Sequence, residues 1–144
     1  MGKSDGVCKV CRTQDETLIH LFYECNNGNI CWSSVENILF MIIGKPILLD
    51  LKTVIFGIPS ENEVLDKHEI DCCNLMLTYT KWIIWKHRNN VRYNNTPIQH
   101  GHDISNQMVN ECKNNVHLLK SSKKFHKIHV KTKLLLQNIL DFQV

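Results

Sequence analysis

The first residues in the chain that could do chemistry are three cysteines and a histidine. They are spaced C-x2-C-x8-H-x4-C, in the order Cys8, Cys11, His20 and Cys25. Zn²⁺ favours thiolate sulfur and imidazole nitrogen, and four such ligands form a closed tetrahedral site with no open position for water. The spacing therefore predicts one structural zinc ion. The alternative, that Cys8 and Cys11 are chance surface thiols and that His20 only caps or packs, is disfavoured by the histidine and cysteine downstream.

A short helix is expected to bring the second half of this ligand set to the metal. Asp15 is a suitable N-cap, and the segment ETLIHLFYE that follows it has apolar residues at helical spacing. His20 and Cys25 are five residues apart, so we expect Cys25 to lie where this helix frays. Because few apolar residues are available nearby, the metal should contribute strongly to the folding of this segment.

The stretch CKVCRTQDETLIHLFYECNNGNICW resembles the zinc-binding domain that follows the polymerase in non-LTR retrotransposon reverse transcriptases. The likeness rests on the first cysteine pair, the Glu-Thr dipeptide, the His-Leu-Phe tripeptide and the cysteine that precedes a tryptophan. These motif positions are Cys8, Cys11, Glu16, Thr17, His20, Leu21, Phe22, Cys25 and Trp32. Weaker similarity continues through VIFGI and KWIIWKHRN. The resemblance implies a module that binds template RNA or target DNA, next to an upstream polymerase domain of the same polyprotein.

The charge of the chain is distributed unevenly. The net charge of 144 residues is +3, but residues 1–80 carry a net −5 and residues 81–144 a net +8. The basic residues of the second part are candidates for contacts with the phosphates of RNA or single-stranded DNA. They are Lys86, Arg88, Arg92, Lys120, Lys123, Lys124, Lys127, Lys131 and Lys133. From charge alone a solvated basic face is an equally good interpretation, and the resemblance favours nucleic acid.

The fold is predicted to be mainly α. A small CCHC-type zinc finger in residues 1–32 should precede a helical domain of four to five helices in residues 33–144, of which residues 121–144 form a peripheral helix or tail. The longest apolar run contains lysine, proline and aspartate and cannot cross a bilayer as a helix. No secretion signal is recognisable. We therefore expect an intracellular chain, cytoplasmic or nuclear, with no membrane partner.

The individual helices are predicted from apolar spacing and from capping signals. The first helix of this domain should end at Gly44, and residues 47–56 fit either a short helix or a buried strand, of which we favour the helix. Ser60 with Glu63 forms a capping-box signature that should open the longest helix, which runs to about Arg92. Two more helices are expected behind it.

These last helices begin near Asp103 and within KLLLQNILDF. Trp82 and Trp85 lie at helical spacing in an apolar helix and are interpreted as core residues, with base stacking as the alternative. The cysteines without ligand spacing are interpreted as buried small apolar residues. They are Cys31, Cys72, Cys73 and Cys112.

No catalytic centre is predicted. A reverse transcriptase holds carboxylates close together for two Mg²⁺ ions, and the sequence has no Asp-Asp pair. It also lacks a glycine-rich phosphate loop, and no small-molecule substrate is expected. The parent polyprotein would be an RNA-directed DNA polymerase, and the chain would be a non-catalytic piece from its C-terminal end. The alternative is a zinc-stabilised protein-interaction domain or adaptor; a RING-type ligase is disfavoured because its two zinc ions need eight ligands.

Overall fold

The computed structural model describes residues 6–144, which fold mainly into helices. The described α-helices are α1 Asn26–Ile43, α2 Leu51–Phe56, α3 Lys67–Tyr93, α4 Gly101–Lys120 and α5 Val130–Asp141. The metal-ligand segment, residues 6–25, lies before α1 and contains one isolated antiparallel bridge, between Val7 and Asp15. A mainly α fold with a small Cys/His segment ahead of four to five helices is confirmed. No helix within residues 6–144 is long and apolar enough to span a bilayer.

The helices pack around a single core. Helix α1 lies against α4, α4 against α3, and α5 contacts α1, α3 and α4. Gly101 lets α1 and α4 approach closely near their first turns. A Cβ at this position would lie 2.5 Å from the carbonyl oxygen of Asn27. The buried hydroxyls of Ser34 and Ser105 meet across the same pair of helices at 2.7 Å. This close packing fixes the start of α1, which directly follows the last predicted metal ligand.

Helix α1 connects the metal-ligand segment to the core. It begins at Asn26, so the domain boundary predicted at residue 32 lies inside it. Leu21 and Trp32 belong to the same buried apolar cluster as the later helices. The predicted stop is confirmed, because Gly44 has a φ of 82° and its N–H donates to the last turn of α1.

The longest helix begins later than expected. Helix α3 is opened by a capping box of Asp66 and Glu69, in which each side chain accepts a backbone N–H of the other residue at 2.9 Å. The start predicted from Ser60 and Glu63 is wrong. The Asn62 carboxamide accepts two backbone N–H groups that follow it and holds this stretch in a loop. A side chain that satisfies backbone donors locally competes with helix formation.

The segment before α3 is helical only in its second half. The preference for a helix over a strand in residues 47–56 is correct from Leu51 onward, where Asp50 caps α2 by accepting a first-turn N–H at 2.8 Å. The residues of this segment before Asp50 have no regular secondary structure. Helix α3 ends at Tyr93, next to the predicted end at Arg92.

Of the six side chains interpreted above as core residues, five are buried or partly buried. The four cysteines without ligand spacing are all buried. Trp85 is partly buried, with its ring centroid 6.5 Å from that of Phe22. Trp82 is 54% exposed, so its assignment to the core is wrong. The core side of this part of α3 carries Thr80 and Ile83, and a helix turns by about 100° per residue, so Trp82 points away from the core.

His87 gives the fold a dependence on pH. It is buried in α3, and its Nε2 accepts the N–H of Gln99 at 2.9 Å, which fixes the loop before α4. Burial lowers the pKa of His87 below its ordinary value of 6.5. Between the folded and unfolded pKa values of His87, the unfolded chain therefore binds more protons than the folded chain does. The stabilisation is complete above pH of about 6.5 and is lost as the pH falls toward the folded pKa.

We expect His87→Gln to reduce the loss of thermal stability between about pH 7.5 and pH 5.5. The glutamine carbonyl can accept the same N–H and does not titrate. Thermal unfolding of both proteins across this range measures the effect. Acid also protonates thiols, but it does so in both proteins, so the difference isolates His87. Identical pH profiles would contradict this role.

Candidate metal centre

The structure brings the four predicted ligands together. The Sγ atoms of Cys8, Cys11 and Cys25 and a ring nitrogen of His20 all lie within 4.8 Å of one another. Cys11 Sγ is 3.4 Å from His20 Nε2. In a tetrahedral zinc site the sulfur–nitrogen edge is about 3.6 Å, as follows from ordinary Zn–S and Zn–N bond lengths. The four side chains are close enough to coordinate one metal ion, and the set closes without help from elsewhere in the described chain.

A tight loop positions the first two cysteines. The Cys8 N–H donates to Gln14 O at 2.8 Å, and the Arg12 N–H donates to Cys8 O at the same distance. Arg12, directly after Cys11, has a φ of 59°. This left-handed residue reverses the chain, so both sulfurs face the same side of the loop. The cysteine pair is thus positioned by backbone hydrogen bonds.

A π-helical turn positions the other two ligands. The turn covers His20–Glu24, and the Cys25 N–H donates to His20 O at 2.8 Å. A five-residue hydrogen-bonded turn places His20 and Cys25 about one turn apart, which an α-helix would not do. Cys25 lies, as expected, where the helical segment ends, with a ψ of 134°, but the hydrogen bond to His20 holds it in place. The N-cap at Asp15 is wrong, because Thr17 Oγ1 accepts the His20 N–H at 3.0 Å and Asp15 lies in the bridge to Val7.

The metal-ligand set is shielded from water. Cys8, His20 and Cys25 are buried, and Cys11 is partly exposed. His20 Nε2 faces Cys11, and the buried Nδ1 has no hydrogen-bond partner among the described residues. With Nε2 directed at the sulfur atoms, this nitrogen would hold the metal and Nδ1 would carry the proton.

The loop around Cys11 favours its thiolate. Burial opposes ionisation, but the Thr13 hydroxyl, 3.4 Å from the sulfur, and the backbone N–H groups of Thr13 and Gln14 outweigh it. Together with His20 they lower the pKa of Cys11 to about 6. At neutral pH this cysteine is therefore ready to bind a cation.

Cys25 behaves in the opposite way. Burial raises its pKa to about 11, countered in part by the N–H groups of Asn27 and Gly28 and reinforced by negative charge on Cys8 and Cys11. A divalent cation would remove this repulsion. Binding would therefore release protons, and metal affinity should fall as the pH decreases.

An ion pair ties the metal-ligand segment to α3. Glu16 Oε1 accepts hydrogen bonds from both Nε and Nη2 of Arg88, and the Nε–Oε1 distance is 2.9 Å. Both side chains are largely buried. The Arg88 guanidinium lies 5.2 Å from the centroid of the Trp85 ring, and Arg92 Nη1 lies 3.8 Å from Glu16 Oε1. The hydrogen bond with Glu16 raises the pKa of Arg88, despite its burial. A planar guanidinium suits such combined ion pairing and stacking better than a lysine would.

This ion pair determines where two of the predicted nucleic-acid ligands lie. Arg88 and Arg92 face Glu16, so their guanidinium groups are directed at the protein. Lys86 lies 3.9 Å from an exposed carboxylate oxygen of Glu111, with its ammonium above the Trp82 ring. The Arg88 and Arg92 guanidinium groups also lie beside the exposed ring of Tyr93, at 5.8 and 5.7 Å from its centroid, so each predicted cation of α3 adjoins an exposed aromatic ring.

The remaining predicted cations lie near the turn between α4 and α5. Lys120 Nζ is 3.4 Å from Gln137 Oε1, and the Lys133 ammonium is 4.9 Å from the centroid of the Phe125 ring. Lys131 Nζ is 3.2 Å from Asp66. The exposed lysines of the turn itself are Lys123, Lys124 and Lys127. Their contacts with nucleic acid stay a prediction.

Three residues support the metal centre through contacts that the sequence analysis did not predict. Thr13 donates to Cys11, Thr17 caps the turn that carries His20, and Glu16 fixes the segment on α3. A threonine three residues before His20 is itself an N-cap signal and was available in the sequence. The partner of Glu16 is 72 residues away, and no local pattern indicates such a pairing.

No family model matches the chain, and no curated protein or solved structure shows significant similarity to it. The interpretation of the site therefore rests on its own geometry. The resemblance to the retrotransposon zinc-binding domain stays a prediction.

Proposed function

We propose that the chain is a non-catalytic zinc-binding module that holds RNA or single-stranded DNA for the polymerase of a non-LTR retrotransposon. The observation that carries the proposal is the exposed Trp82 on the basic part of α3. The Lys86 ammonium lies 5.6 Å from the centroid of the Trp82 ring. Unpaired bases stack on exposed aromatic rings, and an adjacent cation can contact the phosphate of the same nucleotide.

The metal in this proposal is Zn²⁺ in a structural role. Three thiolates and one imidazole form a soft ligand set that suits zinc and is unsuited to Mg²⁺ or Ca²⁺. Four protein ligands would complete a tetrahedral shell, which leaves no position for an activated water. The zinc would hold the metal-ligand segment so that Glu16 meets Arg88, which supports the part of α3 that carries Trp82.

The charge of the C-terminal half supports the same proposal. Residues 81–144 carry a net +8, and the exposed lysines in the turn between α4 and α5 can neutralise phosphates without breaking the ion pair with Glu16. Each neutralised phosphate releases condensed counterions, which favours association at low salt. The upstream polymerase domain of the same polyprotein would supply the catalytic carboxylates.

Trp82→Ala should weaken the binding of single-stranded RNA by about 1–3 kcal/mol, the usual contribution of one stacked base. Because the ring is exposed, the Tm should hardly change. Fluorescence anisotropy with a labelled oligo(U) measures the affinity, and thermal unfolding measures the stability. Met41→Ala is the matched control, because Met41 is an exposed apolar residue on α1. A large loss of stability without a loss of binding would contradict the stacking role.

Replacing Lys123, Lys124 and Lys127 together by alanine should lower the log–log slope of affinity against salt by about 2, since each phosphate contact on a single strand contributes about 0.7. All three side chains are exposed, so zinc content and helicity should not change. Anisotropy titrations over a range of salt concentrations measure the slope. If the parent protein, folded and loaded with zinc, fails to bind at low salt or binds independently of salt, the proposed function is wrong.

A further inference from the structure

An apolar groove lies between the metal-ligand segment and helix α2. Its volume is about 740 Å³. Leu18, Ile19 and Phe22 line it from one side, and α2 contributes Ile55 and Phe56 from the other. None of these five side chains is a predicted metal ligand.

The apolar surface of the groove is open to solvent. Leu18 is 68% exposed and Phe56 is 81% exposed. Single exposed apolar side chains are common on proteins, but several that line one concave surface indicate a binding site. The requirements of the metal centre do not explain them, because Leu18 and Ile19 precede the π-helical turn and point away from the core.

The charged groups at the groove favour an acidic occupant. Lys52 and Lys81 lie at its edge together with Asp50. The Asp50 carboxylate caps α2, whereas the partly buried Lys81 ammonium donates to the carbonyl of Ile55 at 3.2 Å. An ammonium beside an apolar wall gains more from a carboxylate than one in water does, since the local dielectric constant is lower. The groove thus combines an apolar surface with an anchor for one negative charge.

We propose that this groove binds an amphipathic helix of a partner protein, with apolar side chains at helical spacing in the groove and an acidic side chain against Lys81. A helix is favoured over an added strand because residues 6–144 present no sheet edge to extend. Apolar residues at i, i+3 or i+4, and i+7 are the usual anchors of a helix in a groove. One wall belongs to the metal-ligand segment, so docking requires the metal. This surface is separate from Trp82 and the lysine turn, and the proposal goes beyond nucleic-acid binding.

A displayed library of helix-forming peptides of about 16 residues, or four turns, tests this proposal. Selection uses the zinc-loaded protein, with counter-selection on the double variant Leu18→Glu/Phe56→Glu. Because both side chains are exposed, this variant should keep its zinc content and helicity. The enriched peptides should share apolar residues at helical spacing and at least one Asp or Glu. Their affinity for the double variant should be lower by about tenfold or more.

Lys81→Met tests the charge separately. It keeps an apolar side chain of similar length but removes the ammonium. The parent should prefer a selected Glu-containing peptide over its Gln form by about tenfold, and the variant should lose this preference. Met41→Glu introduces an acid at an exposed apolar position on α1 and should bind peptides as the parent does.

Three outcomes would overturn the proposal: no enrichment over the double variant, enriched peptides without helical spacing or without an acid, or self-association of the chain that the double variant abolishes. The last would make a second copy the occupant. The double variant should bind oligo(U) as the parent does. Failure of peptide docking would therefore leave the nucleic-acid function standing, and failure of oligo(U) binding would leave the groove proposal standing.

Discussion

Removal of the metal is expected to unfold the metal-ligand segment and to lower the Tm of the whole chain by up to about 30 °C. Structural zinc sites contribute on the order of 10 kcal/mol to the folding of small domains, and 1 kcal/mol corresponds to about 3 °C for a chain of this size. Without the ion, three sulfur atoms and an imidazole stay crowded within 4.8 Å of one another in a largely buried site. Because Leu21 belongs to the shared core, the loss should extend into α1.

Elemental analysis should find one zinc per chain, and thermal unfolding with and without a chelator measures its contribution. Cys25→Ser should reproduce the effect of the chelator. Cys112→Ala is the matched control, because it removes a buried thiol that lies outside the ligand cluster. It should lose some stability through a smaller side chain but keep its zinc. A Cys25→Ser protein with unchanged zinc content would show that the ligand assignment is wrong.

The ligand set was predictable because metal binding constrains residue types as well as their spacing. Cys8 and Cys11 follow a spacing typical of zinc loops, and His20 and Cys25 complete the number that a tetrahedral site requires. How these two come together with the cysteine pair was not predictable. A π-helical turn has no distinct sequence pattern and is rare, although it occurs frequently at functional sites.

The helices were predictable where periodicity and stop signals agree. The end of α1 at Gly44 combines a loss of apolar spacing with a residue that tolerates positive φ. The start of α3 was ambiguous, because Ser60 with Glu63 and Asp66 with Glu69 both fit a capping box. The Asn62 side chain accepts two backbone N–H groups and thereby favours the later start, at Asp66. The relative strength of such local hydrogen bonds cannot be predicted from residue spacing.

Charge and aromatic content were visible in the sequence, but their environment was not. Arg88 contributes to a basic stretch, yet in the structure it pairs with Glu16 and stacks on Trp85. Trp82 has a large apolar side chain that is typical of a core residue, but it lies on the outer side of α3. Both differences arise from which side of a long helix faces its neighbours, and this is decided by contacts with residues far away in the chain.

Trp32→Ala is expected to lower the free energy of unfolding by about 3–5 kcal/mol, the usual loss for a large buried aromatic side chain. Trp32 is 2% exposed in α1. Its indole N–H donates to the carbonyl of Phe22 within the π-helical turn. The ring therefore fills the core and also holds the turn that carries His20, so zinc affinity should decrease together with stability.

Trp32→Phe separates these two contributions. It keeps most of the apolar volume but loses the N–H donor, and a net hydrogen bond contributes about 1 kcal/mol. The stability of Trp32→Phe should lie between those of the parent and Trp32→Ala. Its zinc affinity should lie closer to that of Trp32→Ala, because the hydrogen bond to the turn is lost. Denaturant unfolding and competition with a zinc chelator measure the two quantities. Because Trp82 is exposed, Trp82→Ala should change neither the stability nor the zinc affinity. Equal losses of stability and of zinc affinity in Trp32→Ala and Trp82→Ala would mean that Trp32 does not couple the metal-ligand segment to the core.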